Sequence, residues 1–253
     1  MVFQAANDRF TNPGPLLAKF MEAVGTVLQR GRGFFRGVDE AHNELCIAHA
    51  ILTDQQTHFT RLEYEPPIPG SAKTIDFLTL TDTGLTVFVD VKTIKPLPTD
   101  RWEQYQRALD ESWFPRNVNV LLSQRWLGGE FWHQMFSARS RMLEYALELE
   151  QKIAEGKLQR DGSLFILALC GESLFSWRED ELEDFVAFYQ AGRHRNDDPF
   201  SQAEDKYIAD QHILLTRAIS RFACMRRPQG EILPKRLNWN VQPPSAISFS
   251  LAQ

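Results

Sequence analysis

The chain predicts an α/β layered fold with a mixed central sheet, and three observations carry that expectation. Two adjoining segments, 73–81 and 85–95, are rich in β-branched and aromatic residues and flank a Gly-containing turn, the pattern of a β-hairpin. Leu164 to Cys170 is a short, wholly apolar run of the kind a strand covered on both faces requires. Helical patterns precede and separate these segments, giving the order helix, three strands, helix, strand, which builds layers of helix and sheet.

Residues 14–30 read as a first helix, which Gly31-Arg32-Gly33 ends. A second helix starts at Asp39, a residue suited to the N-cap, and runs to about Gln55. Strands are expected at 59–65, closed by Pro66-Pro67, then at 73–81 and 85–95, with Pro96 and Pro98 stopping the third. A helix over 100–112, a strand over 117–123 and a long helix over 130–156 follow. After the apolar strand come helices at 177–190 and 202–226, then an irregular tail with a strand at 246–251. The whole reads as one domain over 1–253. Its core covers about 39–170, with the helix 14–30 before it and a helical elaboration over 171–253 after it.

With 253 residues, 43% of them hydrophobic, the chain can bury a full core without disulfides or a structural metal. Its 28 basic and 33 acidic residues leave a formal charge of −5. No overall basic character advertises nucleic acid, although a local basic surface suffices for binding it. Cys46, Cys170 and Cys224 are widely spaced, match neither a disulfide framework nor a zinc or iron–sulfur pattern, and read as buried free thiols. The N-terminus lacks a basic start followed by an apolar run, and Leu164 to Cys170 is too short to span a bilayer. A cytoplasmic protein with no membrane partner is therefore expected. No P-loop, dinucleotide fingerprint, nucleophile elbow or paired metal-binding histidines occur.

The hairpin carries the chemistry. In its second strand Phe88, Asp90, Lys92 and Ile94 share one face, and Leu85, Val87, Val89 and Val91 share the other. A three-residue loop of Asp82, Thr83 and Gly84, with Gly84 left-handed, pairs Thr81 with Leu85 and sets Asp76 opposite Asp90. A two-residue loop instead turns Asp76 away. In the three-residue register the β-carbons of the two acids lie roughly 4.5–5.5 Å apart. Facing carboxylates repel, and a divalent cation between them relieves the repulsion. On the preceding helix Glu44 falls within the apolar arc of Ala41, Leu45, Ala48 and Leu52, the face that meets the sheet. A buried carboxylate there needs a partner. The alternative is that Glu44 sits near the helix N-terminus and is eased by the macrodipole.

Glu44 on a helix, then Ile75-Asp76-Phe77 and Asp90-Val91-Lys92 on paired strands, resembles the PD-(D/E)xK nuclease superfamily, with Ile75 standing where the superfamily name has Pro. The resemblance covers residues 39–95 and implies a restriction endonuclease-like α-β-β-β-α-β core. It implies that Asp76, Asp90 and the Val91 carbonyl bind magnesium, with manganese as a substitute, that Glu44 is the helical acid and a further metal ligand, binding a second ion directly or through water, and that Lys92 is the triplet lysine. It further implies a nuclease that hydrolyses DNA, for which a homodimer is a candidate assembly. Phosphodiester hydrolysis needs an activated water and charge stabilisation, which magnesium and a lysine supply. The alternative is a catalytically inactive module of the same fold that binds nucleic acid or a partner protein.

Lys73, Lys95, Arg101 and Gln104 are candidate phosphate contacts. Tyr105, Gln106, Arg107 and Arg116, the Arg193-His194-Arg195 and Arg226-Arg227 clusters and the tryptophans Trp102, Trp113, Trp126 and Trp132 rank below them. Glu63 and Glu65 are spare carboxylates, either of which is a substitute third acid.

Overall fold

The computed structural model describes residues 8–30, 35–54, 58–68, 71–94, 138–158, 162–170, 179–191 and 214–225. These form α1 (Pro13–Arg30), α2 (Phe35–Thr53), β1 (Phe59–Tyr64), β2 (Phe77–Thr81) and β3 (Thr86–Thr93). They continue with α3 (Ala138–Glu155), β4 (Ser163–Cys170), α4 (Glu179–Ala191) and β5 (Arg221–Met225). The expected helix over 100–112, the strands over 117–123 and 246–251, the start of the 130–156 helix and most of the 202–226 helix lie outside the described residues.

The strands form one mixed sheet in the order β1-β2-β3-β4-β5. β1, β2 and β3 run antiparallel, while β3–β4 and β4–β5 pair in parallel. One face packs Ile47 and Ile51 of α2 against Leu62, Phe77, Val89 and Val91. The other packs Met142, Leu149 and Ile153 of α3 with Phe165, Leu167 and Phe185. β4 lies inside the sheet, between β3 and β5, with helices over both faces, and this accounts for its unbroken apolar sequence.

The free side of β1 is closed by the chain just before α1. Thr11 N donates to Leu62 O at 2.8 Å, and Leu62 N donates to Arg9 O at 2.7 Å. The Asn12 amide then exchanges two hydrogen bonds with the Tyr64 backbone, at 2.6 and 2.7 Å. Covering an edge strand in this way removes a template for aggregation.

Three expectations need correction. α2 begins at Phe35, so Asp39 lies inside the helix, buried, and is not its N-cap. β2 begins only at Phe77, because the chain bends at Asp76. Residues 221–225 form a strand where a helix through 226 was expected, so the region after β4 is not wholly helical. Leu215, Ala218, Ile219 and Phe222 have helical spacing, and an extended chain buries all four in the same cluster. What selects the extended form is Glu150 on α3. Its buried carboxylate accepts from Thr216 N at 2.5 Å, Ala218 N at 3.0 Å and the Tyr189 hydroxyl at 2.5 Å, holding the backbone that leads into β5. Those partners are distant in sequence, and periodicity alone does not reveal them.

Candidate carboxylate and lysine site at the sheet fork

The β2–β3 turn has the three-residue register. Thr81 N donates to Leu85 O and Gly84 N to Thr81 O, both at 3.0 Å, and Gly84 has φ +81°. Leu80↔Thr86 through Phe77↔Val89 then pair in steps. One step further the register brings Asp76 level with Asp90, but here β2 leaves β3. In an antiparallel ladder hydrogen-bonded pairs alternate. An unbroken ladder would therefore give the Val91 N–H to the Ile75 carbonyl. Instead Val91 N donates to Asp76 Oδ2 at 2.6 Å. Ile75 is drawn into the α3 cluster while Phe77 packs on the α2 side, so the chain crosses between faces at Asp76. The N–H and C=O of a paired strand residue project to the same side, so the Val91 carbonyl faces this fork as well.

Asp90 is fully buried, and α3 covers the Asp90–Lys92 face. Lys152 Nζ donates to Asp90 Oδ1 at 2.6 Å. Asp90 Oδ2 has no hydrogen-bond partner and lies 3.5 Å from Lys92 Nζ. Lys92 also meets Glu148 Oε2 at 2.9 Å, and its ammonium sits 5.8 Å from the centre of the Tyr145 ring. Burial disfavours the charge of Lys92, but Asp90, Glu148 and Asp76 outweigh it and hold this ammonium above the ordinary lysine range.

Lys152 is placed by the C-terminal end of α3. Lys73 and Ser71 reach Glu155 at 3.3 and 3.4 Å. A β-carbon on Gly156 would come within 2.2 Å of Ile68 Cγ2, so the close approach there requires glycine. Lys157 ends the helix in the left-handed conformation, with φ +48°. These contacts seat the last turn of α3 against the loop that follows β1.

Glu44 approaches from the other layer. Its neighbours Ile47 and Ile51 pack with Val89 and Val91, whereas Asp90 and Lys92 point to the opposite side of β3. With α2 starting at Phe35, Glu44 lies in the third turn, beyond the reach of the N-terminal dipole. Its partners are Lys19 Nζ, at 2.7 and 3.0 Å, and the Tyr64 hydroxyl, at 2.9 Å. Burial and the Glu44 carboxylate push the Tyr64 phenol far upward, so it remains a donor.

Asp76 lies within reach of both sides. Burial first, then the Asp90 and Glu44 carboxylates, push its carboxyl up to about 8, against the lowering by the Val91 N–H and Lys152. The three acids thus converge on the fork electrostatically. They do not form a ready coordination shell: among the described residues, no group of three or more His, Cys, Asp and Glu side chains is gathered closely enough to hold a metal. The donor set that suits a hard cation is the unsatisfied Asp90 Oδ2, the Asp76 carboxyl and the Val91 carbonyl.

The other sequence candidates separate clearly. Lys73 is exposed and paired with Glu155. Glu63 pairs with Arg61 at 3.1 Å, and Glu65 is exposed. Lys95, Arg101 and Gln104 lie outside the described residues, as do Tyr105, Gln106, Arg107, Arg116, the two arginine clusters and the four tryptophans. Lys152, Glu148, Tyr145, Lys19 and Tyr64 were not singled out from sequence. A signal was present for three of them: Tyr145, Glu148 and Lys152 recur at i, i+3 and i+7, a polar stripe beside the apolar Met142, Leu149 and Ile153.

Among the described residues no helix is long and apolar enough to cross a membrane. Searches of protein-family models, curated proteins and solved structures find no match to this chain.

Proposed function

We propose that this chain is a magnesium-dependent nuclease acting on DNA, built on a restriction endonuclease-like core. The observation that carries the reading is the buried, unsatisfied Asp90 Oδ2 at a fork where Asp76 and the Val91 backbone replace strand pairing. The order helix, three antiparallel strands, helix, parallel strand supports the core assignment. In this reading Asp76, Asp90 and the Val91 carbonyl hold the cation, and Glu44 is the third acid, acting from the α2 layer. Magnesium bound there supplies a Lewis acid for the attacking water and the phosphoryl oxygens. Lys92, charged and held by Asp90 and Glu148, orients that water or offsets charge developing on the phosphate. The cover of α3 over Asp90 excludes bulk solvent from one side, which strengthens each of these interactions.

A second reading is a non-catalytic module of the same fold that binds nucleic acid or a partner protein. It is favoured by the ammonium groups already paired with Asp90 and Glu44. Manganese titration by calorimetry, together with cleavage of plasmid DNA, separates the two. The nuclease binds manganese, cleaves, and loses both properties in Asp90→Ala; binding and cleavage that persist in that variant end the assignment. A protein that binds DNA yet neither binds manganese nor cleaves supports the module.

A further inference from the structure

Lys152 stands out among the groups around the fork. It lies on α3, sixty-two positions from Asp90, yet its ammonium is the closest charge to that carboxylate, at 2.6 Å and with little exposure. A fully buried carboxylate without compensating charge is costly, so some cation must accompany Asp90 in the folded chain. Lys92 does not fill that role alone. It lies 3.5 Å from Oδ2, outside the hydrogen bond it gives Glu148. Lys152 therefore supplies the neutralising charge, on the oxygen beside the unsatisfied one.

We propose that Lys152 is a built-in counter-cation that competes with the divalent metal for Asp90, so that metal binds by displacing it. The proposal rests on the metal-binding reading above. Two structural features make displacement feasible. The lysine stem is unbranched and flexible, and can carry its ammonium away without moving the helix. Its anchor is one turn from the α3 terminus, where Lys73–Glu155 and Gly156–Ile68 fix the backbone independently of the ammonium. Both states then keep Asp90 neutralised: Lys152 does so before the metal arrives and the metal does so afterwards. The arrangement also keeps the core folded when magnesium is scarce.

Competition has a signature that a purely structural lysine lacks. Lys152→Met removes the competitor and leaves Asp90 in need of a cation. Manganese affinity by calorimetry should then rise by about tenfold or more, the equivalent of one modest ion pair. Thermal melting should show a manganese-induced rise in Tm larger than that of the wild type. Lys152→Arg keeps a competing charge and should show no such gain. Should Lys152→Met fail to fold without metal, Lys152→Gln, whose amide can still donate to Asp90 Oδ1, provides the same comparison. Wild-type manganese binding with equal or weaker binding in both Lys152→Met and Lys152→Gln overturns the displacement model and leaves the metal site standing. Absence of manganese binding in every variant overturns both.

Discussion

The Asp76 carboxylate accepts the Val91 N–H at 2.6 Å, in the place a strand carbonyl would take if β2 continued. One side chain thereby both terminates a ladder and holds an acid against the strand that carries Asp90 and Lys92. The same contact explains why the hairpin opens without leaving a buried amide unpaired, which would cost about 1–3 kcal/mol.

Asp76 makes stability depend on pH in an unusual direction. Its folded carboxyl is raised to about 8 from an ordinary value near 3.8, so between those limits the native state binds the extra proton. Stability therefore falls as pH rises through that window and levels off above it. Melting temperatures across pH 5 to 9 should decline in the wild type and flatten in Asp76→Asn. An equally sloped profile in the variant would assign the dependence to other groups.

Metal binding should run the opposite way. A protonated Asp76 is a poor ligand, so manganese affinity should strengthen as pH rises toward about 8. Calorimetric titrations at pH 6 and pH 8 test this, and an affinity that is unchanged removes Asp76 from the ligand set.

Asp90 and Lys92 should divide their roles. Asp90→Ala leaves Lys152 facing a space without its partner and should destabilise the fold by about 3–5 kcal/mol, in addition to abolishing metal binding. Lys92→Ala should retain manganese affinity yet lose cleavage of plasmid DNA. Cleavage at the wild-type rate in Lys92→Ala excludes this lysine from the chemistry.

Gly84 fixes the register and should tolerate substitution poorly. Its φ of +81° costs an L-residue about 1–2 kcal/mol, although a β-carbon there meets nothing within 4 Å. Gly84→Val should lower stability in urea denaturation by at least that amount. A neutral result would mean that side-chain pairing alone sets the hairpin.

Glu150 should prove a main support of the region before β5. Glu150→Leu strands the donors of Thr216, Ala218 and Tyr189 and should cost about 3 kcal/mol or more. Hydrogen exchange should show 216–225 opening faster while the β1–β3 amides keep their protection. Uniform loss of protection would mean instead that this carboxylate supports the whole fold.

Several elements were legible from local pattern. The alternation of Val87, Val89 and Val91 against Phe88 and Asp90 marks the hairpin, and the left-handed position of Gly84 favours the three-residue loop over the two-residue one, because strand period and turn geometry are short-range properties. The apolar run of β4 announces a strand covered on both faces in the same way. The inward position of Glu44 was also legible, from the helical arc, although its neighbour Lys19 was not.

What the sequence by itself determined is therefore the hairpin segment that carries Asp76 and Asp90, with Lys92 on the Asp90 face, whereas the bend that takes Asp76 out of the ladder and onto the Val91 N–H belongs to the tertiary structure. Only the tertiary structure decided which charges meet them: Lys152 and Glu148 from α3, and Lys19 and Tyr64 around Glu44. It also decided that residues 221–225 extend as a strand, because Glu150 captures the backbone before them. The physical reason is the same in each case. Backbone periodicity acts over a few residues, whereas neutralising a buried charge depends on whichever side chain the packing of distant layers brings within hydrogen-bonding reach.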